Sequence, residues 1–458
     1  MNKIITYIAT SLFIVTSSFA VQNISLEESI EAAISNNKEL NAERKSQEIA
    51  AWRQTNAFSN FLPKAHLNAT VVRIDDDTYD KATSIYQLPV LSSSTHSPTG
   101  DYIPFSAGAG INKTSYRTSL VVQQPLFLGG KITLGYQMSS LAKKISDNNY
   151  HQKESDTIFQ VTDIYFNILR LQELQDLTNK SIDSATAQTE RIIQMKELGM
   201  ARESDVLQWQ VREQEHKQNL IEIEDNIAVL SDLWRIVIGL DNTTPAKIDV
   251  KAFNREIDDL AKYDSEETNS YLNDTVELVK AANPMLQITE ISRALSKKSY
   301  RLAQGNFLPN LSMQFSYEID DGDTFDLSGE KSWNIAGVLS LPLFTGGSNY
   351  SQLKIAQKEL RQTELATSSA EEMLITEAKR VIRSQLRSAK NVKNSELSLK
   401  LTTSAYNTLN ELHRQGMLSN QDLLDAESMF RAGEMQYITS IYDYIIAKYE
   451  LKKLGVDR

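Results

Sequence analysis

The chain has 458 residues, a net charge of −11 and no cysteine. These features exclude disulfides, thiolate metal sites, cysteine nucleophiles and a lipid anchor on cysteine, and they argue against nucleic acid as a partner. The five histidines show no metal-ligand spacing, and no glycine-rich loop is present to hold a phosphate. We therefore expect no metal, no cofactor and no enzymatic activity.

The first twenty residues have the pattern of a secretory signal peptide. Lys3 precedes an apolar run at residues 4–15, and Ser18 and Ala20 fit a cleavage site before Val21. A membrane anchor is the weaker interpretation, because the run is shorter than the ~20 residues that cross a bilayer as a helix. The sequence predicts an exported protein with a signal peptide at residues 1–20.

Short motifs of the first half of the chain recur in the second half in the same order. PLFLGG at Pro125 returns as PLFTGG 217 residues later, and ELGMARESDVL returns as RQGMLSNQDLL at the same separation. NFLP at Asn60 returns 246 residues later, so the first copy carries an insertion of 29 residues between its two motifs. We interpret the chain as two diverged copies of one unit. The predicted divisions are a first unit at 21–240, an acidic, irregular linker at 241–270 and a second unit at 271–458.

Each unit is predicted to contain a strand hairpin. The segments NLSMQFSYEI and SWNIAGVLSL alternate polar and apolar residues, and the first unit has matching segments. Segments of about ten alternating residues fit the transmembrane strands of an outer-membrane barrel, although a soluble sandwich alternates equally well. Four strands cannot close a barrel alone. The predicted hairpins cover residues 62–124, with a long polar outer loop at about 75–113, and residues 308–341.

Helical periodicity fills the rest of each unit. A shorter helix precedes the strands, a long proline-free helix follows them, and a returning helix ends the unit. Each long helix ends at a Gly-Met pair, where glycine suits a left-handed C-terminal cap. The predicted long helices cover 131–198 and 348–413, the returning helices cover 204–240 and 421–455, and the shorter helices cover 25–59 and 273–303.

The doubled NFLP, PLFxGG and Gly-Met motifs resemble those of the TolC family of bacterial outer-membrane efflux proteins, over nearly the whole predicted mature chain. The resemblance implies a mainly α protein with a membrane β-barrel. Tandem-repeat long helical hairpins would form an α-barrel, and the four strands of each chain would complete a 12-stranded β-barrel in a homotrimer.

The resemblance also implies function and partners. The trimer would lie in outer-membrane lipid with most of the chain in the periplasm. It would dock a periplasmic membrane-fusion adaptor and an inner-membrane RND pump or ABC transporter, as in type I secretion, and export small molecules or proteins as a passive duct. An alternative from another class is a coiled-coil outer-membrane adhesin or structural protein whose strands serve only as an anchor.

Asp422 and Asp425 are the candidate pore constriction. They lie three residues apart near the start of a helix and therefore share a face, and in the resembling family aspartates at this place line the periplasmic mouth. Acidic residues also complement the helix dipole in a first turn, as we expect for Asp205 in the first unit. Relatives lock the closed mouth with a tyrosine and an arginine, where this chain has His413 and Leu418.

Two further sets of residues follow from the repeated motifs. The resemblance implies adaptor contacts at the helix tips; the alternative is that their glycines are only helix caps. At the junctions between strand and helix, proline is expected to end strand pairing and the glycines to permit the change of direction. The tip residues are Gly199, Met200, Gly416, Met417 and Leu418, and the junction residues are Pro125, Gly129, Gly130, Pro342, Gly346 and Gly347.

Overall fold

The computed structural model describes residues 22–106, 111–322, 324–325 and 327–456. The predicted signal peptide at residues 1–20 lies outside them. The chain divides into two compact units, which we call the helical unit and the sheet unit. The helical unit consists of Met1–Glu48, Ile145–Glu290 and Ala366–Arg458, and the sheet unit consists of Ile49–Lys144 and Ile291–Leu365.

The described elements follow the predicted order, with some additions. They are β1 (Gln22–Ile24), α1 (Leu26–Asn36), α2 (Lys38–Ser59), β2 (Lys64–Arg73), α3 (Asp76–Thr83), β3 (Ile85–Leu91), β4 (Pro98–Ser106), β5 (Thr114–Leu128), α4 (Lys131–Glu197), α5 (Glu203–Ile238), β6 (Thr243–Pro245), a 3₁₀ helix (Val250–Phe253), α6 (Asn254–Ala261), α7 (Ser265–Ala282), α8 (Pro284–Gly305), β7 (Asn310–Asp321), β8 (Glu330–Ser340), α9 (Ser348–Arg414) and α10 (Asn420–Lys453). Within these described residues no helix is both long and apolar enough to cross a membrane.

The sheet unit is built on one antiparallel sheet with the strand order β2-β5-β7-β8. The two predicted hairpins therefore pair with each other through β5 and β7. Residues that lie opposite one another share a face, so Lys64, Gln123 and Gln314 form one row across three strands. Strands β2 and β8 are the edges, since each pairs on one side only. The predicted fold, mainly helical with four long strands, is confirmed.

The insertion in the first hairpin is more regular than the predicted polar loop. Helix α3 begins after Asp75, whose side chain accepts a hydrogen bond from the backbone N–H of Thr78 at 3.0 Å, and β3 and β4 then form a second hairpin. Prolines and hydroxyl side chains concealed the strands in the sequence. One face of this hairpin carries four exposed apolar side chains, which are Tyr86, Leu88, Ile103 and Phe105.

The expectation that strand pairing ends at the motif proline is wrong for the first copy. Pairing of β5 continues past Pro125 to Leu128, with an irregularity in register between Pro125 and Phe127. A bulge accommodates a residue without an N–H, and the neighbouring strand β7 holds the rest of β5 in place. In the second copy, β8 ends at Ser340, before Pro342.

The helical unit has its core around large aromatic residues. Helices α4 and α9 each have 67 residues, and Tyr165, Trp234 and Tyr444 are fully buried among aliphatic side chains of several helices. The Tyr165 hydroxyl donates a hydrogen bond to the carbonyl oxygen of Ala246 at 2.7 Å. This contact fixes the segment between the two copies against α4.

That segment, predicted as an irregular linker at 241–270, is largely ordered. It contains β6, which pairs in parallel with β1, then the 3₁₀ helix, α6 and the first turns of α7. Ile257 and Leu260 lie three residues apart on α6 and are both buried. The acidic composition concealed this short amphipathic helix, because its polar residues occupy the outer face.

The shorter helix that precedes the strands is broken in both copies. Asn37 separates α1 from α2, and Asn283 separates α7 from α8, at equivalent positions of the repeat. Each asparagine begins the next helix as a cap: Asn37 accepts from the N–H of Leu40 at 3.0 Å, and Asn283 accepts from the N–H of Met285 at 2.9 Å. The continuous helices predicted at 25–59 and 273–303 are therefore wrong at this point.

Candidate functional site at the helix tips

The first helix tip is a closed turn between α4 and α5. Gly199 has a φ of +75°, in the left-handed region that glycine adopts without strain. Its N–H bonds to the carbonyl of Lys196 at 2.9 Å, and the N–H of Met200 bonds to the carbonyl of Met195 at 2.8 Å. These two bonds define a Schellman motif, which satisfies the last carbonyls of the helix.

The second tip, between α9 and α10, repeats this geometry. Gly416 has a φ of +73°. Its N–H bonds to the carbonyl of His413 at 3.0 Å, and the N–H of Met417 bonds to the carbonyl of Leu412 at 3.0 Å. The Gly-Met pairs are thus equivalent turns of the two copies, and their glycines cap the helices.

Both tips present a methionine to solvent. Met200 is 69% exposed and Met417 is 70% exposed, whereas Leu418 is half-buried. A Cβ added at Gly199 or Gly416 would meet nothing within 4 Å. In the single chain these glycines are therefore required by backbone conformation rather than by packing.

The predicted constriction residues lie just beyond the second tip. Ser419 caps α10: its hydroxyl oxygen accepts from the N–H of Asp422 at 3.2 Å and donates to Oδ2 of Asp422 at 2.6 Å. Asp205 has a related role in the first copy, where Oδ2 accepts from the N–H of Arg202 at 2.9 Å. Asp422 therefore belongs to a helix cap and remains exposed at the same time.

Asp425 lies one turn further along α10 and is also exposed. Its Oδ1 accepts a hydrogen bond from the side-chain amide of Gln421 at 2.9 Å. Within the described chain neither Asp422 nor Asp425 has an ion-pair partner closer than 4.0 Å. The two carboxylates are thus exposed three residues apart on α10, and each accepts a hydrogen bond from a nearby polar side chain.

Hydrogen bonds between side chains join the starts of the two returning helices. Trp209 of α5, which is only 1% exposed, donates from Nε1 to Oδ1 of Asn420 at 2.6 Å. The amide of Asn420 in turn donates to Oε1 of Gln208 at 2.7 Å, and Gln208 donates to Oε1 of Gln421 at 3.4 Å. This chain of amides, which we call the tip bridge, links the two copies and ends at the residue that bonds Asp425.

A small apolar cluster underlies the tip bridge. It is separate from the main core of the helical unit and includes residues of α4, α5 and α10. Tyr406 of α9 packs against it. All four long helices therefore contribute to a tip with its own core, whose buried members are Ala185, Ile192, Val206, Trp209, Leu423 and Leu424.

A buried ionic cluster follows the tip bridge along the helices. Glu427 of α10 is 2% exposed; Arg431 donates to its Oε1 at 3.1 Å, and Arg212 and His216 of α5 approach its carboxylate to 3.7 Å each. Burial raises the pKa of Glu427, but the nearby His216 and the hydrogen bond and positive charge of Arg431 outweigh burial and hold the pKa below its ordinary value. The cluster therefore keeps a charged carboxylate between α5 and α10.

His413, for which the resemblance led us to expect a tyrosine, is buried at the end of α9. Burial lowers its pKa, the positive charge of Arg191 lowers it further, and Asp205 acts in the opposite direction. The neutral imidazole is thus the form that this tip accommodates.

The sequence did not single out Trp209, Asn420 or Glu427. The burial of Trp209 follows from the apolar periodicity of α5, and Glu427 with Arg431 has the spacing of an ion pair on one helix. Neither pattern shows that Trp209, in the first copy, bonds a residue of the second copy, or that Glu427, in the second copy, is approached by residues of the first copy. Only the packing of α5 against α10 brings them together.

The junction glycines form a second group, within the sheet unit. Gly129 and Gly130 have φ values of +60° and +79°, and Gly346 and Gly347 have values of +61° and +82°. Both pairs therefore adopt the left-handed conformation that lets each strand turn into the following helix. Gly129 also lies against the backbone of Gly305, at the end of α8.

Comparison with known proteins extends these observations. The family model described as "Outer membrane efflux protein" matches residues 29–229 and 275–455, once over each predicted copy. The chain belongs to this family. The predicted relationship to the TolC family is thereby confirmed, and the family consists of outer-membrane channels, with a large periplasmic part, rather than of enzymes.

Individual relatives are distant in sequence and close in fold. The outer membrane protein TolC of Vibrio cholerae serotype O1 is 22% identical over 320 residues, which are 67% of this chain and 69% of that protein. The outer membrane efflux protein BepC of Brucella suis biovar 1 is 20% identical over 401 residues, which are 86% of this chain and 82% of that protein. The crystal structure of the Campylobacter jejuni CmeC outer membrane channel matches with a TM-score of 0.74 at 18% identity, covering 94% of this chain and 85% of that one.

Proposed function

We propose that three copies of this chain form a trimeric outer-membrane channel that exports small molecules, proteins or both. The observation that carries the proposal is the duplication of the unit. The family match covers each copy once, and each copy contributes two strands of the four-stranded sheet and a 67-residue helix. Members of the family work as trimers with adaptors and inner-membrane pumps. An RND pump or an ABC transporter would supply the energy, since the channel itself is a passive duct.

Closure of the β-barrel requires the edge strands. Strands β2 and β8 each leave one row of backbone groups unpaired in the single chain, which is costly inside a membrane. Pairing of β2 in one subunit with β8 in the neighbouring subunit satisfies these groups and produces 12 strands in a trimer. The polar row that contains Gln123 and Gln314 then faces the lumen, because the interior of such barrels is polar.

The acidic gate is proposed at Asp422 and Asp425. Both carboxylates are exposed on one face of α10 and lack an ion-pair partner within the described chain. Around a threefold axis they become two rings of three carboxylates, which attract cations and repel anions. The tip bridge supports this role, because Gln421 holds Asp425 while Asn420 anchors the helix start to Trp209.

The tips are proposed as the adaptor contact. Met200 and Met417 are exposed at equivalent turns, and methionine adapts its shape to a partner surface. The caps around Gly199 and Gly416 keep these turns rigid, so that they present six equivalent contact points per trimer.

Single-channel recording tests the gate. Asp422→Asn with Asp425→Asn is expected to reduce selectivity for cations and to weaken block by multivalent cations added from the tip side. Asp205→Asn is the matched control, since Asp205 occupies the equivalent cap position and is expected to leave selectivity unchanged. Unaltered selectivity in the double variant would refute the gate, and the absence of any conductance in the parent trimer would refute the duct.

A further inference from the structure

A cavity in the sheet unit carries a further inference. It has a volume of about 600 Å³ and lies where the sheet meets the end of α2 and the start of α4, beside the PLFLGG motif. Cavities of about 300–1,000 Å³ are typical of sites for small molecules. Neither the gate nor the tips involve it.

The charge of the cavity differs from that of the chain. Lys64 and Lys131 line it, and no aspartate or glutamate does, although the whole chain has a net charge of −11. Nζ of Lys64 donates to Oδ1 of Asn60 at 3.2 Å, and among the described residues neither Lys64 nor Lys131 has an ion-pair partner. Two lysine side chains thus line one cavity to which no carboxylate contributes.

The remaining lining is divided between amides and apolar groups. Gln123 and Gln314 both line the cavity, and Gln123 donates from Nε2 to Oε1 of Gln314 at 3.2 Å. Leu128 and Val338 supply apolar walls. A cavity with cationic, amide and apolar walls is complementary to an amphiphile whose anionic head lies against the lysines and whose chain lies against the aliphatic side chains.

We propose that this cavity binds one anionic amphiphile, such as an alkyl sulfate or carboxylate, in the wall of the duct. The proposal rests on the proposed function, because the row of Lys64, Gln123 and Gln314 faces the lumen only if the trimeric barrel forms. Ions of this class then encounter a binding site within the export path. The proposed acidic gate attracts cations. The cavity would be a separate binding site, for anions.

Photolabelling tests the site. The trimer in phosphatidylcholine nanodiscs is incubated with decyl sulfate that carries a terminal diazirine, irradiated, and mapped by mass spectrometry. Labels are expected on the peptide that contains Leu128, with competition by unlabelled decyl sulfate and about tenfold weaker competition by decyltrimethylammonium. Equal competition by the cationic probe would overturn the proposal. The absence of label would also overturn it, because it would mean that a neighbouring subunit fills the cavity.

Two kinds of variant sharpen the test. Lys64→Gln with Lys131→Gln is expected to weaken competition by decyl sulfate about tenfold or more, whereas Lys331→Gln, on β8 outside the cavity, leaves it unchanged. Gly135→Leu is expected to abolish labelling by filling the space, because a Cβ at this helical position meets nothing within 4 Å and replacement of a helical glycine favours folding. Unchanged labelling in both variants would refute the site.

The source of the amphiphile and the duct itself are tested separately. Labelling independent of bilayer charge would support a ligand that enters from the lumen. Labelling that falls when phosphatidylglycerol is added to the nanodiscs would identify a membrane lipid as the occupant and would overturn the placement of the site in the export path. A trimer that conducts but is not labelled refutes only the site. A trimer that is labelled but does not conduct refutes only the duct.

Discussion

A Cβ built on Gly129 would lie 2.3 Å from the backbone carbonyl oxygen of Gly305. The junction of the first copy therefore imposes two demands on Gly129, a φ of +60° and a close approach to the end of α8. The equivalent Gly346 has nearly the same φ, +61°, but a Cβ there would meet nothing within 4 Å. The two copies of one motif thus differ in what their glycines do.

Alanine at these two positions should give unequal effects. Gly346→Ala is expected to lower the free energy of unfolding by about 1–2 kcal/mol, the cost of a left-handed conformation for a residue with a side chain. Gly129→Ala is expected to cost more, because the methyl group also displaces the backbone of α8. Thermal unfolding followed by circular dichroism, with the yield of assembled protein, measures both. Equal losses would contradict a role for the contact with Gly305.

The bond between Trp209 and Asn420 predicts a second inequality. Asn420→Ala leaves the buried indole N–H of Trp209 without a partner and is expected to cost about 1–3 kcal/mol. Trp209→Phe together with Asn420→Ala removes donor and acceptor at once, so the double variant is expected to lose less than the sum of the two single variants. A thermodynamic cycle on the free energy of unfolding gives this coupling. Additive losses would show that the bond contributes nothing.

Glu427 is expected to matter more than the exposed acids near it. Glu427→Gln leaves Arg431 and Arg212 beside a neutral group in a buried place and should cost about 2–3 kcal/mol. Glu215→Gln is the matched control: Glu215 bonds Arg212 at 2.9 Å but is exposed, so its loss should cost less than about 1 kcal/mol. Chemical denaturation of both variants tests this order, and equal effects would contradict it.

The Glu427 cluster also predicts that the stability of the fold depends on pH in the acidic range. The pKa of Glu427 is lowered from 4.5 in the folded chain, so its contribution to stability is fully present above pH 4.5 and is lost as the pH falls through the lowered pKa. Glu427→Gln should remove this part of the pH dependence. The check is the midpoint of denaturation of the parent and the variant between pH 3 and pH 7. Parallel curves would refute the assignment.

His413 should make the second tip sensitive to milder acid. Its pKa is lowered from 6.5 by burial and by Arg191, so the neutral form stabilises the fold above pH 6.5 and this stabilisation falls as the pH drops through the folded pKa. Backbone hydrogen exchange at residues 410–420 should therefore accelerate more between pH 7.5 and pH 5.5, after correction for intrinsic rates, than in His413→Phe. The equivalent exchange at residues 193–203 is an internal control.

The repeat could be predicted from the sequence because its glycine motifs mark positions where the backbone must adopt a left-handed conformation. The glycines at 199 and 416 and the pairs at 129–130 and 346–347 require left-handed geometry, and that requirement is local. The break at Asn283 was also predictable, since proline at 284 disfavours a helical conformation for the residue before it. The break at Asn37 has no such marker and follows from its cap and its bond to the carbonyl of Val237.

Other features could not be predicted in this way. The strands of the insertion were concealed because Pro89 and Pro104 interrupt the period of two. Pairing of β5 beyond Pro125 depends on the neighbouring strand β7, which lies almost two hundred residues away in the chain. The register between distant strands depends on which strand edges pair. The alternation of polar and apolar residues within one strand does not identify the strand with which it pairs.

The sequence by itself determined the two copies, the order of the long helices and the four long strands, the glycine caps at the tips and the shared helix face of Asp422 and Asp425, because each rests on periodicity or on a local backbone requirement. Only the tertiary structure decided that Trp209 bonds Asn420, that Glu427 lies among Arg431, Arg212 and His216, and that Lys64 and Lys131 share one cavity. These contacts join residues of different elements. Their energies come from burial and from the loss of solvent screening, which exist only once the elements have packed.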